Sequence, residues 1–313
     1  MDKNKTGKNL MSTRVALIVP CLNEAHALPL LFTQIKTHLP QAEVHIFDNG
    51  STDGTPDVAR SFGAYVHGVA ERGKGRVVAR MFADVDADIY VMVDGDATYD
   101  LAASAEHVRM LVDNKVDMIV GTRLQSYEGS ASRPGHKTGN KLLSSLINNL
   151  FQSKLCDVLS GYRIMSRRFV KTTPVMAAGF EIEVMLTIHA LDIRSHIIEV
   201  PINYLKRANG TQSKLRTVRD GWRIFLAIFY FFKEVRPFLF FTTASAILTF
   251  LSLAIGVPVI LEFFETGLVP RFPSAILAAS LMIAALVSLS CGLILDSVAE
   301  QRRELKRLFY LRN

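Results

Sequence analysis

The sequence predicts an α/β domain with a mostly parallel β-sheet, followed by an amphipathic helix at a membrane interface and two membrane-spanning helices. Short hydrophobic runs alternate with amphipathic segments from Val15 to about Val120, two long uncharged runs lie near the end of the chain, and basic residues flank those runs. Alternation of hydrophobic strands with helices is typical of a parallel sheet that is covered by helices on both faces.

Five hydrophobic runs in the first part of the chain are predicted strands. They occupy residues 15–22, 43–48, 64–69, 89–94 and 117–122. The rest of the domain is predicted to contain a helix over 138–151, a turn at SGYR (160–163), a helix over 180–191 and a last strand within 196–207 that leads into a basic loop.

Polar and acidic residues gather where the predicted strands end. The first strand ends in PCLNE, the second in DNGSTDGT, the fourth in DGD and the fifth in GTR. Ligands of open α/β sheets bind outside the carboxyl ends of the strands. The sequence therefore predicts a nucleotide-diphosphate site at this edge of the sheet.

Asp94, Gly95 and Asp96 close the fourth predicted strand. Carboxylates two residues apart in an extended segment project to the same side, and their oxygens are preferred ligands of hard divalent cations. The same spacing also occurs in turns and helix caps, but its place at the end of a hydrophobic strand favours a metal site. Asp94 and Asp96 are therefore predicted to hold Mg²⁺ or Mn²⁺ on a diphosphate.

The first two strand ends add candidate nucleotide contacts. Asp48 can hydrogen-bond a base or a ribose, and Glu24 a ribose or a base edge. The NGSTDGT segment also suits a plain turn into a helix that Ser51, Thr52 or Asp53 would cap. Capping and ligand binding do not exclude each other, so both stay open.

Two uncharged runs, Pro237–Leu261 and Phe272–Leu295, contain 25 and 24 residues. At about 1.5 Å per residue, each is long enough to cross a hydrocarbon core of about 30 Å. Residues 218–236 mix charges with aromatic residues, which favours an interfacial helix over a last helix of the globular domain. The basic flanks predict a protein of the cytoplasmic (inner) membrane, with the catalytic domain and both termini in the cytoplasm.

The domain boundaries follow from these segments. We expect a flexible tail over 1–14, a catalytic domain over 15–217, an interface helix over 218–236, a transmembrane hairpin over 237–295 and a basic cytoplasmic tail over 296–313.

Charge and cysteine usage exclude several classes of protein. The formal net charge is +7, yet no basic and aromatic nucleic-acid motif accompanies it, so it indicates a membrane surface and phosphate ligands instead of nucleic acid. Three distant cysteines predict neither a disulfide framework nor a metal cluster. The Gly68–Gly75 segment nearly matches a phosphate-binding Walker A loop, but Gly75 replaces the required Ser or Thr, so Lys74 is assigned to the donor site.

Taken together, these segments resemble glycosyltransferase family 2, in its polyprenyl-phosphate branch of dolichol-phosphate mannose and undecaprenyl-phosphate glucose synthases. The matching segments are VPCLNE, FDNGSTDGT, ERGKGRVVA, VDGDATYD, GTR, SGYR, FEIE and YLKRANGTQSKLR, in order from Val15 to about Arg223. The resemblance implies a GT-A fold, a nucleotide-diphosphate sugar as donor, polyprenyl (undecaprenyl or dolichyl) phosphate as acceptor, and contact with membrane lipid. It is also compatible with a homo-oligomer.

The resemblance further implies roles for individual residues. Asp94, Asp96 and Arg123 would be catalytic. The nucleotide sugar would contact Pro20, Leu22, Glu24, Asp48, Lys74, Asp94, Gly95 and Asp96. Lipid phosphate and diphosphate would contact Arg123, Arg133, Arg207, Ser213 and Lys214. Two positions depart from the family pattern: Asn49 stands where an aspartate is frequent, and Thr98 lies near where some members have a metal-contacting glutamine.

The implied reaction is an inverting transfer. A lipid phosphate monoester has a second pKa of about 6 and is largely ionised near pH 7, so it needs no nucleophile relay. It needs positive charge to hold two anionic partners together, which the basic residues supply. A UDP-sugar is favoured over GDP-mannose on the form of the DGDxTY and GTR segments. Glu181 and Glu183 could orient a substrate or make a structural hydrogen bond.

Two other functions stay open. A non-catalytic, membrane-anchored nucleotide-sugar-binding protein would bind donor without forming glycolipid, and the intact Asp94, Asp96 and Arg123 argue against it. A processive polysaccharide synthase would carry a QxxRW-type motif and more membrane helices. The single tryptophan, Trp222, lies instead in DGWRIF.

Overall fold

The structure is a computed structural model that describes residues 13–123, 136–175, 179, 182–205, 229–230 and 232–312. The chain divides into two compact units. One is drawn from residues 1–224 and 308–313, and the other from residues 225–307.

Within the described residues, a seven-stranded mixed sheet forms the centre of the first unit. Its strands are β1 (Val15–Cys21), β2 (Glu43–Asp48), β3 (Tyr65–Gly68), β4 (Ile89–Met92), β5 (Met118–Thr122), β6 (Arg163–Ser166) and β7 (Ile197–Pro201). Their order in the sheet is β3-β2-β1-β4-β6-β5-β7. Only β6 runs opposite to the others, between β4 and β5, while the remaining pairs are parallel.

Helices cover this sheet and explain why its central strands are hydrophobic throughout. The helices are α1 (Leu28–His38), α2 (Thr55–Ser61), α3 (Lys74–Asp84), α4 (Ser104–Asp113), α5 (His136–Phe151), α6 (Arg167–Thr172) and α7 (Ile182–Asp192). Along α1, Leu28, Leu31, Phe32 and Ile35 are buried at the spacing of one helical face. Burying each such side chain stabilises the fold by about 1.5–3 kcal/mol.

The predicted fold class is confirmed, and the five predicted strands all form. One element was wrongly predicted: SGYR was expected to be a turn, but its last residue, Arg163, begins β6. Strand β6 is only four residues long and starts with a fully buried arginine, a residue type that almost never lies in a core. The hydrophobic pattern therefore gave no sign of it.

Two long helices, α8 (Pro237–Thr266) and α9 (Phe272–Arg312), account for most of the second unit. Each is long and apolar enough to cross a membrane, with a mean hydropathy of 2.3 over its most apolar 18 residues. Large apolar side chains are exposed along them: Phe250 is 72% and Phe264 79% exposed. The two helices are joined by hydrogen bonds from Ser252 Oγ to the carbonyl of Ala278, at 2.7 Å, and from Ser245 Oγ to that of Ala285, at 2.8 Å.

The predicted interface helix over 218–236 lies mostly outside the described residues. Those of its residues that are described before Arg236, namely 229–230 and 232–235, are helical.

Candidate active site

The DGD segment packs directly against the end of β1. Cys21, the last residue of β1, pairs with Asp48 at the end of β2. A Cβ atom on Gly95 would lie 2.6 Å from Cys21 Sγ and 3.4 Å from Glu24 Cγ. Only glycine therefore fits between the two acids without displacing the β1 end, and the predicted metal and nucleotide residues share one edge of the sheet.

Lys74, the first residue of α3, binds two carboxylates. Its Nζ lies 2.5 Å from Asp94 Oδ1 and 2.5 Å from Glu183 Oε1. The Lys74 and Glu183 side chains are 12% and 6% exposed, whereas Asp94 is 30% exposed. Burial lowers the pKa of Lys74, but the two carboxylates outweigh it and raise that pKa above its usual value. Lys74 is therefore charged in this cluster.

The antiparallel strand β6 completes the surroundings of Asp94. Because β6 runs opposite to β4, the residues before it lie at the same edge of the sheet. A Cβ atom on Gly161 would lie 2.5 Å from Asp94 Oδ2. The glycine of SGYR thus leaves the room that this carboxylate occupies.

Asp96 connects the DGD segment to the chain that follows β7. The buried Asp96 accepts hydrogen bonds at Oδ1 from the Thr98 hydroxyl, at 2.6 Å, and the Thr98 backbone N–H, at 3.2 Å. The carbonyl of Thr98 in turn accepts from Leu205 N at 2.7 Å, and Asp100 N donates to the Asn203 carbonyl at 3.2 Å. Residues 203–205 are therefore hydrogen-bonded to residues 98–100, which directly follow the DGD segment.

Arg123, which follows β5, is clamped by a buried carboxylate. Its Nε and Nη2 donate to the two oxygens of Asp157, each at 2.8 Å, and Asn140 donates to the same group at 3.0 Å. The guanidinium also lies over the ring of Tyr204, 5.7 Å from its centroid. Burial alone would raise the pKa of Asp157, but its hydrogen bonds with Arg123 and the charge of that guanidinium lower it.

The end of β2 is held by hydrogen bonds to backbone groups. Asp48 Oδ2 accepts from the backbone N–H groups of Gly50 and Ser51, each at 3.1 Å. Its Oδ1 is buried without a hydrogen-bond partner among the described residues. Asn49 donates to the carbonyls of Val69 and Glu71, at 3.1 and 2.8 Å. An aspartate could not make those two bonds, which explains the departure from the family pattern.

Polar residues after β2 bind the loop after β1, and one of them also binds the start of α2. Ser51 Oγ accepts from Asn23 N at 2.8 Å, and Asp53 accepts from Ala25 N at 3.0 Å. The N-cap of α2 is Gly54, which has a left-handed backbone and makes no side-chain cap hydrogen bond. Asp53 Oδ1 also accepts from Thr55 N, the first N–H of α2, at 3.0 Å. Asp53 therefore binds the start of the helix as expected, while Ser51 binds the facing loop.

Comparison with known proteins identifies the family. The model of glycosyl transferase family 2 matches residues 16–173, just over half of the chain. The chain belongs to this family. Protein RfbJ of Shigella flexneri is 48% identical over 126 residues, which cover 40% of this chain and 98% of that protein. Glycosyltransferase AglJ of Haloferax volcanii is 25% identical over 94% of this chain and 97% of its own length.

A third relative of this family 2 chain is an undecaprenyl-phosphate mannosyltransferase of Micrococcus luteus, 26% identical over 64% of this chain and 87% of that enzyme. Among solved structures, glucosyl-3-phosphoglycerate synthase of Mycobacterium tuberculosis, in complex with Mn²⁺ and UDP-glucose, superposes with a TM-score of 0.55. It is 23% identical and covers 69% of this chain and 78% of that one. The predicted family, the GT-A-like fold and the assignment as a glycosyltransferase are confirmed.

The site of this family 2 enzyme is described only in part. Pro20 and Leu22 lie half-buried at the end of β1. Four predicted phosphate contacts lie outside the described residues: Arg133, Arg207, Ser213 and Lys214. Sequence reasoning missed Asp157, whose only signal was an acid in the apolar loop before SGYR. It also left open the role of Glu183, which binds Lys74.

Proposed function

We propose that this enzyme transfers a sugar from a nucleotide-diphosphate donor to polyprenyl phosphate at the cytoplasmic face of the membrane. The observation that carries the proposal is the pairing of residues 203–205 with residues 98–100. It brings Leu205, the residue that precedes the basic segment 206–217, beside Thr98, whose hydroxyl donates to Asp96. The basic segment that is proposed to bind phosphate therefore follows in the chain directly after this pairing.

The nucleoside end of the donor is proposed to lie over the ends of β1 and β2. The partnerless Asp48 Oδ1 supports this placement, since a buried acceptor without a partner is costly unless a ligand donates to it. Pro20, Leu22 and Glu24 would line the same pocket. We infer a UDP-sugar as the first choice of donor from the form of the DGDxTY and GTR segments. GDP-mannose is the second choice, because the polyprenyl-phosphate relative from Micrococcus luteus is a mannosyltransferase.

The residues at the end of β4 fit a divalent cation. Two carboxylates, Asp94 and Glu183, bind the Lys74 ammonium, and Asp96 stands two residues after Asp94. The formal charge of these four side chains is −2. No group of three or more His, Cys, Asp or Glu within the described chain could hold a metal by itself. Mg²⁺ is commonly held by one or two carboxylates together with substrate phosphates. Asp94 and Asp96 would hold Mg²⁺ or Mn²⁺, which when bound stabilises charge on the leaving diphosphate.

The acceptor is proposed to meet the donor beside Arg123. Asp157 fixes one edge of this guanidinium, so its orientation is set before a phosphate arrives. Arg133, Arg207, Ser213 and Lys214 would supply further phosphate contacts. The ionised lipid phosphate would attack the anomeric carbon directly, which inverts its configuration and requires no general base. The two apolar helices would anchor the enzyme, with the catalytic domain (15–217) and both termini in the cytoplasm.

The test is a panel of labelled UDP- and GDP-sugars offered to the purified full chain with undecaprenyl phosphate. We expect one sugar to become extractable as glycolipid, and Arg207→Ala and Lys214→Ala to weaken use of the lipid more than nucleotide binding. Donor that binds without forming glycolipid, for every sugar, would favour the non-catalytic alternative. A long polymer in place of a single transferred sugar would favour a processive synthase.

A further inference from the structure

One ammonium occupies a position that a metal ion would also need. Lys74 Nζ lies 2.5 Å from Asp94 Oδ1, one of the oxygens proposed as metal ligands. A second cation at that oxygen would be repelled by the ammonium and would have to displace it. In the absence of nucleotide, metal binding therefore competes with an existing ion pair.

Glu183 gives Lys74 a partner that does not depend on Asp94. The Lys74–Glu183 distance is also 2.5 Å, and the Glu183 side chain is 6% exposed. The backbone at this position is fixed as well, since Arg163 Nη2 donates to the Glu183 carbonyl at 2.9 Å. If Lys74 leaves Asp94, its charge stays paired inside the protein, which makes the displacement feasible.

We propose that Lys74 makes metal binding dependent on nucleotide binding, with Glu183 as the positioning residue that retains Lys74 when a cation takes Asp94. The inference rests on the proposed function, because it takes Asp94 as a metal ligand. A diphosphate brings negative charge that attracts both the ammonium and the metal ion, so it offsets their repulsion. Metal and nucleotide then bind cooperatively, and each raises the affinity for the other by the same factor.

The experiment measures Mn²⁺ binding to the purified full chain by the electron paramagnetic resonance signal of free Mn²⁺. Titrations are made without nucleotide, with UDP and with GDP, and protein-free titrations correct for Mn²⁺ held by nucleotide in solution. The informative variant is Lys74→Met combined with Glu183→Gln. It removes one positive and one negative charge, so the net charge of the cluster stays the same while Asp94 loses the ammonium.

We expect the double variant to bind Mn²⁺ without nucleotide about tenfold more tightly than the unaltered enzyme, and to lose most of the enhancement by nucleotide. Arg76→Met combined with Glu71→Gln is the matched control, since it also removes one positive and one negative charge, here from an exposed ion pair at the same helix. Its Mn²⁺ affinity is expected to change much less. The thermal unfolding midpoint of each variant verifies that it is folded.

Unchanged Mn²⁺ affinity and unchanged enhancement by nucleotide in the folded double variant would overturn the inference. If the unaltered enzyme bound no Mn²⁺ even with UDP or GDP, and made glycolipid normally in chelator, both the inference and the proposed metal role would be overturned. Tighter Mn²⁺ binding by the double variant, with no glycolipid formed from any donor by the unaltered enzyme, would support the inference while the proposed function fails.

Discussion

The two sides of the candidate site are built differently. On the β2 side, Asp48 and Asn49 are held by hydrogen bonds to backbone groups. On the side of β4 and β5, Lys74 and Arg123 are each held by carboxylates. Hydrogen bonds to the backbone keep one geometry whether or not a ligand is present, whereas ion pairs between side chains can be exchanged for pairs with phosphate or metal. The comparison indicates a preformed side, where we propose the nucleoside, and a charge-exchanging side.

The largest effect is expected from the acids of the charge-exchanging side. Asp94→Asn or Asp96→Asn should lower turnover by about 10²-fold or more, because charge on the departing diphosphate loses its stabilisation. Circular dichroism should be unchanged. Asp86→Asn is the control, since it alters an exposed carboxylate that pairs with Arg14 at 3.1 Å. Near-normal turnover of both site variants, or full activity in chelator, would contradict the assignment of a metal to these acids.

The clamp on Arg123 should contribute strongly to stability. Asp157→Ala leaves a largely buried guanidinium without its carboxylate, which should cost about 3 kcal/mol in the free energy of unfolding. Calorimetry of the detergent-solubilised protein measures the loss, and Asp86→Ala should change the unfolding temperature little. A loss no larger than in that control would show that Arg123 is held by other groups.

The same pair should contribute to stability in a pH-dependent way. The pKa of Asp157 is lowered in the folded protein, so its contribution is present above the unfolded pKa of about 3.9 and is lost as the pH falls through the folded value. The difference in unfolding temperature between the unaltered enzyme and Asp157→Asn should therefore be largest near neutral pH and shrink below about pH 4. A difference independent of pH would contradict this sign.

The β2 side can be tested by placing aspartate, the residue frequent in the family, at position 49. Asn49→Asp replaces two donated hydrogen bonds by a carboxylate facing the carbonyls of Val69 and Glu71. We expect a loss of about 1–3 kcal/mol in the free energy of unfolding, read by calorimetry. Asn23→Asp is a matched control because Asn23 accepts from Thr52 N with its Oδ1, which a carboxylate can also do. An equal loss of stability in Asn49→Asp and Asn23→Asp would show that the two bonds donated by Asn49 do not require an amide.

The smallest effect is expected in the helical hairpin. Ser252→Ala removes the bond to the Ala278 carbonyl and should weaken the association of α8 and α9 by about 0.6 kcal/mol. Thermal unfolding in detergent provides the measurement. Ser280→Ala is the control, since Ser280 Oγ bonds within its own helix to Ile276. An equal effect of both changes would mean that the interhelical bond adds nothing.

The sequence predicted the parts of the site that follow hydrophobic strands. Asp48 and Asp94 were found because each comes at or just after the end of a buried run. The contacts that hold the site could not be predicted in this way, because they join residues far apart in the chain: Lys74 and Glu183 are separated by 109 positions, and Arg123 and Asp157 by 34. No local periodicity encodes such pairs.

The central claim is that the enzyme transfers a sugar to a lipid phosphate, and its most direct test is to measure which nucleotide the enzyme releases and whether the release requires the lipid. Transfer of a sugar alone from a nucleotide-diphosphate donor to a lipid phosphate must release one nucleoside diphosphate for each glycolipid formed. We expect the purified enzyme to release nucleoside diphosphate only when polyprenyl phosphate is present, in equal amount to the glycolipid, and Asp94→Asn to release almost none. Release of nucleoside monophosphate, or release that does not depend on the lipid, would contradict the account.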